Sequence, residues 1–424
     1  PMNHAKHTAE NQAAAIQAET DGDAIVNAWP LKLTLELTAD CNLHCFMCDC
    51  EMARDRYRAK GYKKFALPVE IFRQIAEASF PKVSVINPTV VGEPLMLPYY
   101  DEMIEACEHY GVKLDIITNG MLLKGERARK LLPVLSELTI SFDGGTKETF
   151  EHVRTGSTFE TVVDNLNNFS KMRDEAGLTD TVGIRFNTTI LTENLEELPR
   201  IVEIGAAAKV DVINGAFMLV FAESLRHCSP LSDPVRANHW VAEAEKRAKQ
   251  LGICVDLPNP LPEDGSAGVQ VTVSDADFGG VVEANGEQPE APAEGAGDSS
   301  AESPNEVEGE SPAGSAERLQ RATSKGAMPP DRVPAEWGGK LYCRFPWREA
   351  FVGQGGEISP CCAQGRPVLG NAFEQDFSEI WNGKDYQALR KGLWEGKPLD
   401  YCKNCTFLQE TGAVPYSEEA YMRD

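Results

Sequence analysis

The sequence predicts an α/β protein built around a parallel sheet. Short apolar runs alternate with amphipathic stretches six times between residues 31 and 252. Glycine, cysteine and acidic punctuation falls just after successive runs, where a parallel sheet places the ends of its strands. Six strand-then-helix units imply right-handed crossovers. They fit either a doubly wound sheet or an incomplete barrel, and in both the chemistry belongs at the carboxyl ends of the strands.

Taken in order, the strand-like runs are LKLTLEL (31–37), KVSVINPTVV (82–91), VKLDIIT (112–118), ELTISF (137–142), TVGIRFNTTI (181–190) and VDVINGAFMLV (210–220). The helix-like stretches are Val69–Ser79, Tyr99–Tyr110, Gly125–Leu135, Phe159–Ala176, Leu195–Ala208 and Pro234–Gly252. Cys41, Cys45 and Cys48 follow the first run, Gly92–Pro94 the second, Thr118–Gly120 the third and Ser141–Gly145 the fourth, while Arg185 and Asn187 lie on the fifth. Separate strands thus bring polar groups to one rim.

Composition narrows the class. The chain has 424 residues, 42% of them apolar, which is ordinary for a globular protein of two or three domains. No apolar run approaches the roughly 18 to 20 residues of a membrane span, and no signal or transit peptide stands at the start. A cytoplasmic location follows, where twelve cysteines point to metal or catalytic thiols rather than disulfides. A formal charge of −24 argues against a nucleic-acid partner. Much of that charge sits in one segment rich in Pro, Glu, Gly, Ser and Ala, read as an acidic disordered insertion over 258–337. Residues 1–28 read as a flexible tail with a short helix through TAENQAAAIQAE. The barrel or sheet occupies 29–257, and a second small domain 338–424.

CNLHCFMCDC (41–50) sets three thiols at C-x3-C-x2-C. Four thiolates close a zinc site or a fully ligated iron–sulfur cluster, whereas three leave one metal position open for a substrate or cofactor. Cys50 is too close to Cys48 to serve the same cubane. A zinc site completed by Cys50 or His44 is the alternative.

This motif, with Met47 before its last cysteine, resembles the radical S-adenosylmethionine (radical SAM) superfamily. VGEP (91–94), TNG (118–120), SFDG (141–144) and HVR (152–154) are similar to later strand-end motifs of that family, with Val91 where the family has glycine. The resemblance covers residues 31 to about 255 and selects a partial (β/α)6 TIM-like barrel. It implies a [4Fe–4S] cluster on Cys41, Cys45 and Cys48 that chelates SAM and cleaves it reductively to a 5′-deoxyadenosyl radical, with electrons from an external donor such as flavodoxin or ferredoxin. It also implies cofactor contacts from Met47, Gly92, Glu93, Asn119, Ser141, Asp143, Arg154 and Arg185: Glu93 with the SAM ammonium, Ser141 and Asp143 with ribose or methionine groups, and Arg154 or Arg185 with the SAM carboxylate. Asn119 could instead only shape its turn.

The C-terminal part carries Cys343, Cys361, Cys362, Cys402 and Cys405. REAFVGQGGEISPCC reads as a hairpin turning at GQGG, and residues 377–394 as a helix with Ile380, Trp381, Leu389 and Leu393 in the core. By spacing, two cysteines from a hairpin and a C-x2-C knuckle fit a zinc ribbon or an iron–sulfur site. CRFPW, Gly356-x4-Cys361, GN, IWNG and the final C-x2-C are similar to the SPASM/twitch extension of radical SAM enzymes. That resemblance implies a small α+β domain over the barrel mouth with an auxiliary [4Fe–4S] cluster on Cys343, Cys361, Cys402 and Cys405, in the single-cluster twitch form. Cys362, the catalytic candidate, either donates a hydrogen atom to a substrate radical or packs beside the cluster.

By family analogy a closed auxiliary cluster accepts an electron from the substrate radical, giving net oxidation of a small molecule such as a sugar, cyclitol or other metabolite. A peptide-modifying maturase that cross-links or epimerises a precursor is the second expectation. A non-enzymatic zinc protein is the third.

Overall fold

In the computed structural model of the chain, residues 2–48, 50, 54–55, 58, 65–220, 222–263, 337, 341–361, 366–403 and 409–410 are described. The first element is a helix, α1 (Met2–Asp21), followed by β1 (Lys32–Leu35) and α2 (Val69–Ser79). Then β2 (Val85–Asn87), α3 (Tyr100–Tyr110), β3 (Lys113–Thr118), α4 (Gly125–Leu131) and β4 (Leu135–Ser141) follow in alternation. Two helices, α5 (Lys147–Val153) and α6 (Phe159–Glu175), lead to β5 (Gly183–Ile190), α7 (Leu198–Ala207), β6 (Val212–Phe217), α8 (Pro234–Leu251) and β7 (Cys254–Asp256).

Local chemistry sets these boundaries. Asp233 caps α8 by accepting the Arg236 N–H at 3.1 Å, Pro234 fills its first turn, and Gly252 at φ +66° ends it. On α6, Val162, Leu166, Phe169 and Arg173 recur at three- and four-residue steps and form its buried face.

β1 to β7 pair in sequence order, every neighbouring pair parallel. This is the α/β partial barrel, extended by one short strand beyond the sixth. Its outward-facing residues, such as Ile184, Phe186 and Ile190, join the helices in one continuous core. The inward-facing row of β5 is instead polar and half-buried: Arg185, Asn187 and Thr189.

The C-terminal part does not stand apart as a separate lid. After β8 (Leu341–Tyr342) and α9 (Phe345–Arg348) comes β9 (Glu349–Val352), which pairs parallel with β1, Lys32 opposite Glu349 and Leu35 opposite Val352. β10 (Glu357–Ser359) and β11 (Gly370–Asn371) continue the same sheet antiparallel. The hairpin turns at Gly353–Gly356, where the Gly356 N–H donates to Gly353 O at 2.9 Å. A helix expected over 377–394 is two, α10 (Phe377–Trp381) and α11 (Lys384–Trp394). Gly383 marks the break, where an added Cβ would stand 3.0 Å from Glu379 O. The final strand, β12 (Gln409–Glu410), pairs antiparallel with β8.

The N-terminal segment differs from the flexible tail expected over 1–28. Ala15, Ala18, Val26 and Ala28 are buried with Trp337, Tyr342, Trp347, Leu389 and Leu393 in a second apolar cluster. The small residues let α1 lie close against that aromatic wall. Asn382 donates to Val26 O at 3.0 Å and accepts the Val26 N–H at 2.9 Å, and Arg390 donates to Ala24 O at 3.0 Å. Of the expected insertion 258–337, residues 264–336 lie outside the described residues. Leu261 still exchanges hydrogen bonds with Asn238 of α8, and Trp337 is fully buried in the second cluster. Among the described residues no helix is long and apolar enough to cross a membrane.

Candidate functional site

A cavity of about 370 Å³ opens at the carboxyl ends of β1 to β6. The cysteine loop forms one side of it with Cys41, Cys45, Met47, Cys48 and Cys50. The backbone holds the loop in place: the His44 N–H donates to Thr155 O at 2.9 Å and the Cys48 N–H to Cys45 O at 3.1 Å. Behind it, Met47 and the half-buried Cys45 pack on Val153, Leu191, Met218 and Cys228.

Gly92 fixes the opposite edge. It has φ +91°, and an added Cβ would lie 2.7 Å from Thr38 O and 2.8 Å from Asp40 O. The close approach falls on Gly92, so Val91 is accommodated beside it. The Glu93 N–H then donates to Asp40 O at 2.7 Å, tying this turn to the start of the cysteine loop.

Glu93 is 1% exposed. Oε1 accepts the Thr118 hydroxyl at 2.6 Å and the Leu95 N–H at 3.1 Å, and Oε2 accepts the Asn119 N–H at 2.8 Å. Burial pushes its carboxyl up, against the pull of those bonds. With three donors on four lone-pair positions, Oε2 retains capacity for one more donor. The Asn119 amide donates to Asn42 Oδ1 at 2.9 Å and reaches Cys41 Sγ at 3.8 Å, while its Oδ1 accepts the Met121 N–H at 3.0 Å. Asn119 therefore both shapes its turn and touches the cysteine loop.

Arg154 enters from the end of α5. Asp143, fully buried, sets it with Oδ2 2.6 Å from Arg154 Nη2, while Oδ1 accepts the Thr189 N–H at 2.7 Å. Arg154 Nε is buried with no hydrogen-bond partner among the described residues. Burial opposes the charge on Arg154, and Asp143, Cys45 and Cys48 outweigh it and raise its pKa. Burial likewise pushes the Cys45 thiol up to about 11, with Arg154 pulling the other way.

Asp143 does not line the cavity: it is fully buried, with Oδ1 on the Thr189 N–H and Oδ2 beside Arg154. One sequence expectation is corrected by this geometry. Arg185 lies three residues into β5, at the amino end of the strands, with Nε 2.5 Å from Glu137 Oε2. There it belongs to a charged barrel floor with Lys32, Asp115, Glu137 and Glu349, away from the cavity. Ser141 does line the cavity. Thr118 of the TNG motif serves Glu93 through its hydroxyl. Contributions that the motifs did not single out are Asn42, which accepts from Asn119, and an apolar wall of Val90, Ile117 and Leu219, each partly exposed.

In the C-terminal part, Cys343 and Cys402 pack on the second apolar cluster, and Cys361 and Cys402 both act on the Tyr401 phenol, which burial pushes up. Cys362 and Cys405 lie outside the described residues.

The donors fit an anionic iron–sulfur group and an amino-acid-like ligand. Arg154 brings beside the thiols a buried N–H that has no partner among the described residues, and Glu93 brings a carboxylate across the cavity. Among the described residues no three His, Cys, Asp or Glu side chains are gathered to hold a metal ion.

Comparison with known proteins agrees. The radical SAM superfamily matches residues 35–204, and the SPASM iron–sulfur cluster-binding domain matches 343–406. The chain is 26% identical over 419 residues to the AdoMet-dependent heme synthase of Methanosarcina barkeri, covering 93% of this chain and 96% of that protein. Its fold is similar to that of Streptococcus suis SuiB bound to S-adenosylmethionine, with a TM-score of 0.53 and 16% identity over 88% of this chain and 69% of that one. It is also similar to anSMEcpe with bound AdoMet and Cp18Cys peptide, with a TM-score of 0.52 and 13% identity over 89% and 87%. The radical SAM domain implies a [4Fe–4S] cluster and SAM, and the SPASM domain implies auxiliary iron–sulfur chemistry. The chain belongs to the radical SAM superfamily and carries a C-terminal SPASM domain.

Proposed function

We propose that this radical SAM/SPASM enzyme removes hydrogen from a small molecule and passes the second electron to an auxiliary cluster, so that the substrate is oxidised. The observation that carries the reading is the meeting of Cys41, Cys45, Cys48, Glu93, Asn119 and Arg154 around one cavity. Cys41, Cys45 and Cys48 would hold the core cluster, and Cys343, Cys361, Cys402 and Cys405 the auxiliary one. When cluster and SAM are bound, the chemistry supplied is one-electron reduction of a sulfonium and hydrogen-atom removal from an unactivated carbon.

The protein's own residues bind and orient. Glu93 accepts from the ligand's ammonium in a charge-assisted contact. Arg154, aimed by Asp143, donates to its carboxylate. Asn119 fixes the edge of the cysteine loop, and Ser141 offers a hydroxyl to the cavity. Val90, Ile117 and Leu219 offer exposed apolar surface that a bound substrate would cover, excluding water from the reacting carbon.

A small-molecule substrate is supported by the relative aligned over nearly the whole chain, a heme synthase by name. A peptide is the competing substrate, since the same fold binds one in anSMEcpe.

Anaerobic reconstitution tests the core assignment. The Cys41/Cys45/Cys48→Ala variant should keep roughly half the iron of the wild type, on the auxiliary site, and release no 5′-deoxyadenosine. For the substrate, the dialysable, protease-resistant fraction of a cell extract should stimulate 5′-deoxyadenosine release. Stimulation that protease treatment abolishes would turn the assignment to peptide modification.

A further inference from the structure

The N-terminal helix and the SPASM region meet at one buried carboxylate. Glu19 is fully buried near the end of α1. Its Oε1 accepts the Tyr342 hydroxyl, and its Oε2 faces Arg348 Nε. The backbone carbonyl of the same residue accepts the Trp337 Nε1–H at 2.9 Å. Aromatic rings close the surroundings: Trp337 meets Tyr342, Trp347 and Trp394 edge-on at 5.3, 5.4 and 5.1 Å. Gly22, at φ +70°, lets the chain leave α1 directly against Trp394, where an added Cβ would fall 2.0 Å from the ring.

This is a costly way to dock a helix. A carboxylate and a guanidinium removed from water are tolerated only as a pair, and an apolar contact would pack as well. Their position gives the pair a use. Tyr342 is covalently next to Cys343, and Cys343 and Cys402 pack on the same cluster as Trp337 and Tyr342. Arg348 is 5% exposed and its Nη1 is buried without a partner among the described residues. An iron–sulfur cluster's potential follows its hydrogen bonds and nearby charge.

We propose that Glu19 is a positioning residue for the auxiliary cluster: it anchors Tyr342, the last residue of β8 and the neighbour of Cys343, and neutralises Arg348, and so sets the cluster's reduction potential. The proposal rests on the reading that the C-terminal cysteines hold that cluster. It makes α1 a working part of the redox module rather than a tail.

The test uses the reconstituted full chain in the Cys41/Cys45/Cys48→Ala background, which isolates the auxiliary signal, with iron counting and an EPR-monitored redox titration. Glu19→Gln leaves the Arg348 cation uncompensated and should raise the midpoint potential. Arg348→Met leaves the carboxylate and should lower it. The double variant removes both charges and should return close to the parent value, a rescue that a merely structural role does not give. If Glu19→Gln cannot be loaded with iron, the double variant decides: regained iron supports the proposal, and continued loss overturns it. A loaded Glu19→Gln protein with the parent potential also overturns it. Adding Cys343→Ala tests the underlying reading separately: unchanged iron there removes the auxiliary cluster, and the role of Glu19 with it, whereas lost iron beside an unshifted Glu19→Gln potential overturns the role alone.

Discussion

Asp143 and Arg154 form an ion pair at 2.6 Å beneath the cysteine loop, with Asp143 fully buried and the Arg154 side chain 12% exposed. The carboxylate thus aims a cation that faces Cys45 and Cys48. Asp143→Asn should release the guanidinium and leave its charge poorly compensated. SAM cleavage should fall about tenfold or more, since a charge-assisted contact of about 1.5 kcal/mol or more is misdirected. Core iron should be retained, which 5′-deoxyadenosine release measured beside iron content would show.

Gly92→Ala should be far more damaging than Gly125→Ala. Both glycines have positive φ, +91° and +59°, but an added Cβ at Gly92 meets backbone atoms under 3.0 Å away, whereas at Gly125 it meets nothing within 4 Å. Left-handed strain alone costs about 1 kcal/mol. The Gly92 variant adds a backbone displacement at the site and should lose several kcal/mol, about 3 or more. Thermal unfolding of the two variants would separate these costs.

The charged barrel floor should fail in alkali. Burial opposes the charge on Lys32, but Asp115 at 2.9 Å, together with Glu349 and Glu137, outweighs it and pushes the ammonium from 10.5 up to about 12. A pKa raised on folding gives stability that is complete below pH 10.5 and disappears as the pH rises through about 12. The difference corresponds to about 2 kcal/mol. Lys32→Met should lose this stability at neutral pH and flatten the alkaline limb, as urea titrations between neutral pH and about pH 12 would record.

Arg390 is fully buried, donates to Pro346 O at 2.8 Å and Ala24 O at 3.0 Å, and stacks 4.4 Å from the Trp381 ring. Arg390→Met leaves two buried carbonyls without their donor, at about 1–3 kcal/mol each. The urea midpoint should drop, and limited proteolysis should cut first near residues 22–30, where the chain is stitched to α10 and α11.

Much of the barrel is legible in the sequence because its strands carry β-branched residues and its helices repeat at helical spacing. α2 is read residue for residue. Arg185 is harder, because alternation shows which residues face the lumen but not at what height. Its neighbours in the floor, Lys32, Asp115, Glu137 and Glu349, come from four other strands. α1 escapes for a related reason: its buried face is Ala15 and Ala18, too weakly apolar to signal burial, and its partners lie more than 300 residues away. The hairpin of β9 and β10 is local and readable from its glycines, whereas the parallel match of β9 with β1 joins residues whose separation no pattern encodes.

That pairing has a consequence for biogenesis. A ribosome delivers β1 early, yet the strand that covers its outer edge is made more than 300 residues later. Throughout that interval the nascent barrel would carry an open ladder of amide donors and acceptors, a template for wrong partners. The enzyme's most vulnerable moment should therefore come before metal insertion, and a co-expressed chaperone should raise the yield of the full chain more than extra iron does.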